Sequence, residues 1–253
     1  MNTVWTREGW RTARRALVMV LVGAGCSSAM PAFPSARPPG PGRVSTTLGG
    51  SARIGFGDVA RLGEEGSMPP GANTTPNKTS LSTGGTHPAE GGVTPAGQVR
   101  VGLGKGLDTS LTIAGTTGRL ELRHHTTLSE EGTTLVGLSS GLGAVVGSTD
   151  PDRGRLRFGG DLPLFLVASF GSVVEAHLGP RLGLEWLAED AGSSARVFRG
   201  GVTVGLATGF LAFHALAELS AYHEWWSLSG PGGDRAVRGF ALVPAFGLRW
   251  RFP

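Results

Sequence analysis

The chain has 253 residues, of which 43 are glycine, and only 17% are charged. Its formal net charge is +4, but residues 1–25 hold four arginines and one glutamate, so the remainder is almost neutral. No basic patch is left that could serve nucleic-acid binding. High glycine and low charge are unusual for a soluble domain of ordinary composition. The length allows one large β domain or two small ones.

The first 25 residues are typical of an export signal. Arg11, Arg14 and Arg15 precede an apolar run, residues 16–24, that is too short to span a bilayer comfortably. Small residues follow this run. We therefore expect residues 1–25 to be removed as a signal peptide.

Cys26 is the only cysteine and directly follows the expected signal, so it cannot form an internal disulfide. The stretch Gly23-Ala24-Gly25-Cys26 resembles a bacterial lipobox, with glycine at the position where that family usually has a leucine-like residue. The resemblance implies that Cys26 is lipidated and that the lipoprotein-processing machinery is a partner. The alternative is an ordinary cleavage site near Ala29 or Ala32, which discards Cys26.

Two segments have the composition of irregular chain. Residues 31–42 read PAFPSARPPGPG, which is too rich in proline and glycine for a helix or a sheet ladder. We predict a disordered linker over residues 26–42. Residues 58–96 are rich in Gly, Thr, Pro, Ser and Asn, which predicts a long flexible loop. Residues 43–253 then form one barrel domain that contains this loop.

Strict alternation of apolar and polar residues dominates the rest of the chain. From Val174 to Trp186 every even position is apolar, and the odd positions are charged, polar or glycine. Because side chains of a strand point alternately to opposite faces, such a segment has one apolar and one polar face. The pattern recurs in about ten segments. It predicts an all-β fold, an antiparallel up-and-down transmembrane β-barrel of about ten strands, with eight as the alternative.

The lengths of the connections support this topology. If both chain ends lie in the periplasm, the periplasmic connections are all short, and the outer ones are longer except for residues 115–118. Bacterial outer-membrane barrels alternate short and long connections in this way.

The C-terminal strand carries a family resemblance. Gly247, Trp250 and Phe252 stand in the sequence GLRWRF, which resembles the outer-membrane β-signal. Ala245 and Pro253 depart from that pattern. The resemblance, over residues 43–252, is to bacterial outer-membrane β-barrel proteins. It implies an outer-membrane location, contact with outer-membrane lipid, and recognition by the barrel-assembly machinery.

The polar face of the strands predicts a charge network inside the barrel. A barrel of eight to ten strands is nearly filled by its own side chains, and unpaired charges there would be costly, so both signs should pair. The predicted network comprises Arg119, Glu121, Arg123, Arg157, Asp161, Glu175, His177, Arg181, Glu185, Arg199, Glu218, Glu224, Arg249 and Arg251. A small arginine-lined channel is the alternative.

Catalysis and metal binding have little support in the sequence. The spacing of His124 and Thr126 is similar to the His-x-Ser of outer-membrane deacylases, but threonine replaces the serine nucleophile. His223 has no serine at that spacing. His124 and His125 are adjacent and point to opposite faces, so they cannot share a metal. We expect no enzyme activity and no cofactor, and we assign Trp225-Trp226 and Trp250 to an interfacial girdle.

The sequence therefore predicts an outer-membrane barrel of structural or interaction type, with no external ligand identified. The alternatives are a lipid-anchored soluble β-barrel lipoprotein, a small selective channel, and a lipid A- or phospholipid-modifying barrel.

Overall fold

A computed structural model of the chain is a closed antiparallel barrel of ten strands. Each strand pairs with its neighbours in sequence, and the last strand closes the barrel on the first. The strands are β1 Val44–Gly57, β2 Gly92–Gly104, β3 Leu107–Ala114, β4 Thr117–Glu131, β5 Thr134–Asp150, β6 Arg155–Phe170, β7 Val174–Ala188, β8 Ser194–Phe210, β9 Phe213–Ser229 and β10 Arg235–Arg251. The predicted fold class is confirmed, with ten strands rather than eight.

The structure describes residues 30–67, 92–150, 155–171, 173–188, 194–210, 212–229 and 234–252. The predicted signal peptide and Cys26 lie outside these ranges. We call the end of the barrel that carries the β2–β3, β4–β5, β6–β7 and β8–β9 connections the turn end. The opposite end, where β1 connects to β2, is the loop end.

The two faces of the barrel wall are inverted relative to a water-soluble protein. In β7, Leu178 and Leu182 face outward and are 52% and 43% exposed, whereas Glu175, Arg181 and Glu185 are buried inside. The same alternation continues around the barrel, so its outer surface is apolar and its lumen is charged. This arrangement suits a lipid exterior, since exposing so much apolar surface to water is unfavourable.

Exposed aromatic side chains form two belts on this outer surface. In four strands they are twelve residues apart: Phe158 and Phe170, Phe198 and Phe210, Phe213 and Trp225, and Phe240 and Phe252. Twelve residues extend about 40 Å along a strand, and a tilt of about 45° reduces this to roughly 28 Å of height. That height matches a hydrocarbon core of about 30 Å, with aromatic rings at both interfaces.

A helix, α1 (Asp58–Ser67), closes part of the loop end. Val59 and Leu62 lie on one face of it and are buried. They pack on inward side chains of β7 to β10: Leu187, Ala195, Val197, Trp226 and Val237. Among the described residues, no helix is long and apolar enough to cross a membrane.

This helix corrects two predictions. The flexible loop expected over residues 58–96 is helical at its start and part of β2 from Gly92; residues 68–91 lie outside the description. The assignment of Trp226 to an interfacial girdle is also wrong. Trp226 is 1% exposed and lies beneath α1, whereas Trp225 is 42% exposed on the outer surface. Adjacent residues of a strand face opposite sides, so only one of them can reach the interface.

Candidate functional site

The structure places the fourteen residues of the predicted charge network on the inner face of the barrel. Thirteen are buried, and Arg251 lies at the turn-end mouth with its side chain 25% exposed. Arg53, Arg100 and Asp108, which are also buried, extend the network.

One chain of ion pairs connects β1, β9, β8, β7 and β6. Arg53 Nη2 lies 2.6 Å from Glu224 Oε2, and Arg199 Nε lies 3.2 Å from the other oxygen of that carboxylate. Arg199 Nη1 reaches Glu185 Oε1 at 2.5 Å, and Arg157 Nε donates to Glu185 Oε2 at 2.6 Å. Each carboxylate thus lies between two arginines, which offsets the desolvation of both signs.

A second chain connects β7, β6 and β4. Arg181 Nη2 lies 2.7 Å from Asp161 Oδ2, and Arg119 Nη1 donates to the same oxygen at 2.9 Å. Arg119 Nε lies 3.3 Å from Glu121 Oε2, and Glu121 also pairs with Arg123. Again the carboxylates alternate with guanidinium groups.

Further pairs lie near the turn end. His125 Nε2 is 2.8 Å from Asp108 Oδ2. Glu175 lies between Arg249, at 3.1 Å, and Arg251. Another part of the chain occupies the middle of the turn-end half of the lumen, between these pairs.

That part is residues 30–36, which we call the plug segment. It lies inside the barrel: Met30, Ala32, Phe33, Ser35 and Ala36 are each at most 5% exposed. The chain passes the turn end, where Pro41 forms an isolated bridge with Gly102. Helices and ladders are absent from residues 30–40, as expected from the composition, but the predicted disorder of the linker is wrong for residues 30–36. The prediction failed because composition cannot reveal hydrogen-bond partners supplied by a distant part of the fold.

Five arginines donate to consecutive backbone carbonyls of the plug segment. The bonds are Arg181 to Met30 O at 2.8 Å, Arg119 to Pro31 O at 2.8 Å, Arg123 to Ala32 O at 2.9 Å, Arg100 to Phe33 O at 3.1 Å, and Arg249 to Phe33 O at 2.9 Å and Pro34 O at 2.8 Å. Charged donors make stronger hydrogen bonds than neutral ones. The carbonyl run is therefore held along its whole length.

The backbone N–H groups of residues 31–34 also have hydrogen-bond acceptors. Pro31 and Pro34 have no N–H, so Ala32 and Phe33 supply the only backbone donors of residues 31–34. Both donate to Glu218, one to each carboxylate oxygen, at 2.8 Å. One glutamate therefore satisfies every backbone donor of this stretch.

Phe33 anchors the segment by packing. Its ring is 1% exposed and contacts Ala207, Leu216 and Ala245. A Cβ at Gly247 would come within 3.2 Å of the ring. Phe33 has φ of 39°, a left-handed conformation that costs about 1–2 kcal/mol in residues other than glycine. The two hydrogen bonds from Ala32 and Phe33 to Glu218, together with the pocket around the ring, hold Phe33 in this conformation.

This pocket explains a departure from the C-terminal family pattern. Ala245 stands where a polar residue is common, and it lies against Phe33. Ala32 and Ala36 likewise pack on Phe165 and Val167. Inward apolar residues in strands whose inner face is otherwise charged were the sequence signal for a segment in the lumen, and sequence reasoning missed it.

The described part of the lumen contains a small cavity. Beside Met30 lies a cavity of about 30 Å³, bordered by Asp161, Glu185 and Tyr222 among others. A cavity of this size holds a water molecule or two and no larger solute.

The other candidate residues lie on the outer surface. Thr126 Oγ1 is 3.5 Å from His124 Nδ1, a distance too long for an effective hydrogen bond. His223 packs edge-on against Trp225 and Phe240, with ring centroids 4.2 and 4.8 Å apart. Within the described ranges, no group of three or more His, Cys, Asp or Glu residues is arranged to hold a metal ion.

The residues of the predicted β-signal divide between the two faces. Gly247 is buried on the inner face beside Phe33. Trp250 and Phe252 lie on the outer face, where Trp250 packs edge-on against Phe213 at 5.3 Å.

No family model and no curated protein matches the chain. Among solved structures, the chain is similar to Ail, the attachment invasion locus protein of Yersinia pestis, at 12% identity and a TM-score of 0.24. That match covers 84% of this chain and 99% of the other. A triple mutant of Rhodopseudomonas blastica porin is 8% identical with a TM-score of 0.14, over 83% and 99% of the two chains. At these scores neither likeness bears on the function of this chain.

Proposed function

We propose that this chain is an outer-membrane β-barrel protein of structural or interaction type whose lumen is closed to solutes. The observation that carries the proposal is the inverted wall, with apolar side chains and two aromatic belts outside and ion pairs inside. The plug segment and α1 support the closed lumen, because they occupy its two ends.

The partners follow from the same surfaces. Outer-membrane lipid covers the apolar exterior. Gly247, Trp250 and Phe252 form the β-signal that the barrel-assembly machinery recognises. Cys26 carries a lipid anchor added by the lipoprotein-processing machinery. The loop end of the barrel faces outside the cell.

Membrane fractionation and gel mobility test the location. We expect the protein to stay with the outer membrane in alkaline carbonate and to migrate faster unheated than boiled. A lipid-anchored soluble barrel would be released once its acyl group is removed, whereas a spanning barrel stays. Release after delipidation, or a protein without heat-dependent mobility, contradicts the proposal.

Planar-bilayer recording tests the closed lumen. We expect no conductance steps above the noise, with a general porin as the positive control. Discrete steps would support the small selective channel instead. Lipid A and phospholipid profiles that change on overexpression would support a lipid-modifying enzyme.

A further inference from the structure

The lumen holds more positive than negative charge. Among the described residues, eight buried arginines point into it against seven buried carboxylates. Arg251 adds a positive charge at the turn-end mouth. Because a buried charged donor without an acceptor is costly, the surplus guanidinium groups require acceptors other than carboxylates.

The plug segment supplies these acceptors through its backbone. Five arginines from β2, β4, β7 and β10 bind five consecutive carbonyls, residues 30–34. Side chains of residues 31 and 34 take no part in these bonds. Backbone carbonyls are common to all peptides, so the five arginines recognise a peptide backbone rather than particular side chains.

Two further features restrict which peptides fit. Glu218 accepts the only two backbone N–H groups of residues 31–34, so the residues on either side of this pair must lack an N–H or direct it elsewhere. Proline meets that condition at residues 31 and 34. The pocket of Ala207, Leu216 and Ala245 takes an aromatic ring at residue 33. The site therefore selects the pattern Pro-x-Phe-Pro.

The plug segment is joined to the barrel wall only through the residues that lead to β1. Within the described residues, its contacts with the wall are noncovalent. Its outer part lies at the mouth, where Arg251 donates to Ser35 Oγ at 2.8 Å and is itself partly exposed to the surroundings. The segment can thus leave the lumen at the turn end while every strand ladder stays intact.

We propose that the turn-end half of the lumen is a peptide-binding site, which accepts a Pro-x-Phe-Pro segment of another protein, in the backbone conformation of residues 31–34, when residues 30–36 vacate it. In this arrangement the plug segment is a competing ligand carried by the same chain. The proposal goes beyond the closed barrel and does not depend on which membrane holds it.

Cutting the connection after folding tests the proposal without disturbing the barrel. A protease site is placed between Arg37 and Gly42 in the full chain, the protein is folded in detergent, and the site is then cut and the mixture dialysed. Binding is followed by fluorescence anisotropy of a labelled peptide with the sequence of residues 30–37. We expect the cut protein to bind this peptide at least tenfold more tightly than the uncut protein.

Matched variants separate specific binding from general attraction to arginine. A peptide that carries Phe33→Ala, or one with scrambled sequence, is expected to bind the cut protein at least tenfold more weakly than the peptide of residues 30–37. Arg249→Gln removes two carbonyl contacts and is expected to weaken binding tenfold, whereas Arg196→Gln, on an exposed side chain, leaves it unchanged. Equal binding of the scrambled peptide, or a cut protein that never takes up the labelled peptide, overturns the proposal. Because the assay is in detergent, its outcome is independent of the fractionation result.

Discussion

The ring of Phe33 lies over Gly247, so that a Cβ built at residue 247 stands 3.2 Å from its Cζ atom. The same Cβ would meet Thr47 Cγ2 at 3.0 Å. A glycine of the predicted C-terminal β-signal thus also makes room for the plug segment. Its contact with Phe33 is a direct link between residues at the two ends of the described chain.

This contact predicts a coupled pair of substitutions. Gly247→Ala should destabilise the folded barrel by about 1–3 kcal/mol, because the added methyl group overpacks the pocket. In a Phe33→Ala background the same substitution should cost much less. The protein is refolded in detergent, so that the assembly machinery is not needed, and then titrated with urea. The folded fraction at each urea concentration is read from the fast-migrating band of unheated samples, and the unfolding free energies give the coupling. Strictly additive effects would show that the ring does not lie against residue 247.

Glu218→Gln should release the backbone of the plug segment. Ala32 and Phe33 donate to different oxygens of Glu218, and in glutamine an NH2 group replaces one of these oxygens. One of the two N–H groups then faces a donor, and an unsatisfied buried N–H costs about 1–3 kcal/mol. Hydrogen exchange at residues 32 and 33 should accelerate at least tenfold. Glu130→Gln, on an exposed side chain in β4, is the matched control. Unchanged protection of these amides from exchange in Glu218→Gln would contradict the two hydrogen bonds to Glu218.

Glu185→Gln should destabilise the whole barrel. It removes the carboxylate charge from between Arg157 and Arg199, and breaking a buried ion pair from one side costs about 3–5 kcal/mol. The expected result is a lower urea midpoint for unfolding, followed by tryptophan fluorescence. Glu131→Gln, at an exposed position, should leave that midpoint unchanged. A similar midpoint for both variants would argue against the ion-pair chain.

The neighbouring Trp225 and Trp226 should differ in their access to lipid. Two variants are compared in brominated-lipid vesicles, each retaining one of these residues as its only tryptophan. Trp225 should be strongly quenched because it lies in the outer aromatic belt. Trp226 should be protected, since it packs beneath α1 and donates to Glu224 Oε2 at 2.9 Å. Equal quenching of the two residues, or stronger quenching of Trp226, would contradict the placement of Trp226 inside the barrel.

The wall of the barrel could be predicted because the pattern that determines it lies within the sequence of each strand. In a strand such as β7, consecutive residues point to opposite faces and alternate between apolar and polar. Glu175 and Arg181 could therefore be placed inside from the alternation alone. Closure and strand number followed from the count of such segments and from the sorting of their connections.

The contents of the lumen could not be predicted in the same way. The pocket of Phe33 is assembled from Ala207, Leu216 and Ala245, which lie in three different strands. Nothing in the local sequence of residues 30–36 indicates that pocket. The helix α1 was missed because Val59 and Leu62 are only two apolar residues at the edge of a polar stretch. Their contribution to stability depends on the inward side chains of β7 to β10 on which they pack.

The hydrogen bonds between Arg249 and the carbonyls of Phe33 and Pro34 join residues that are 216 and 215 positions apart. The arginine belongs to β10, which is synthesised after the other nine strands of the barrel, while the segment precedes β1. The plug segment therefore cannot reach its final place until the final strand has arrived, although it leaves the ribosome before any strand. Ordering of residues 30–36 should accordingly be the latest event in folding, and a spectroscopic label on Phe33 would report the moment at which the barrel is complete.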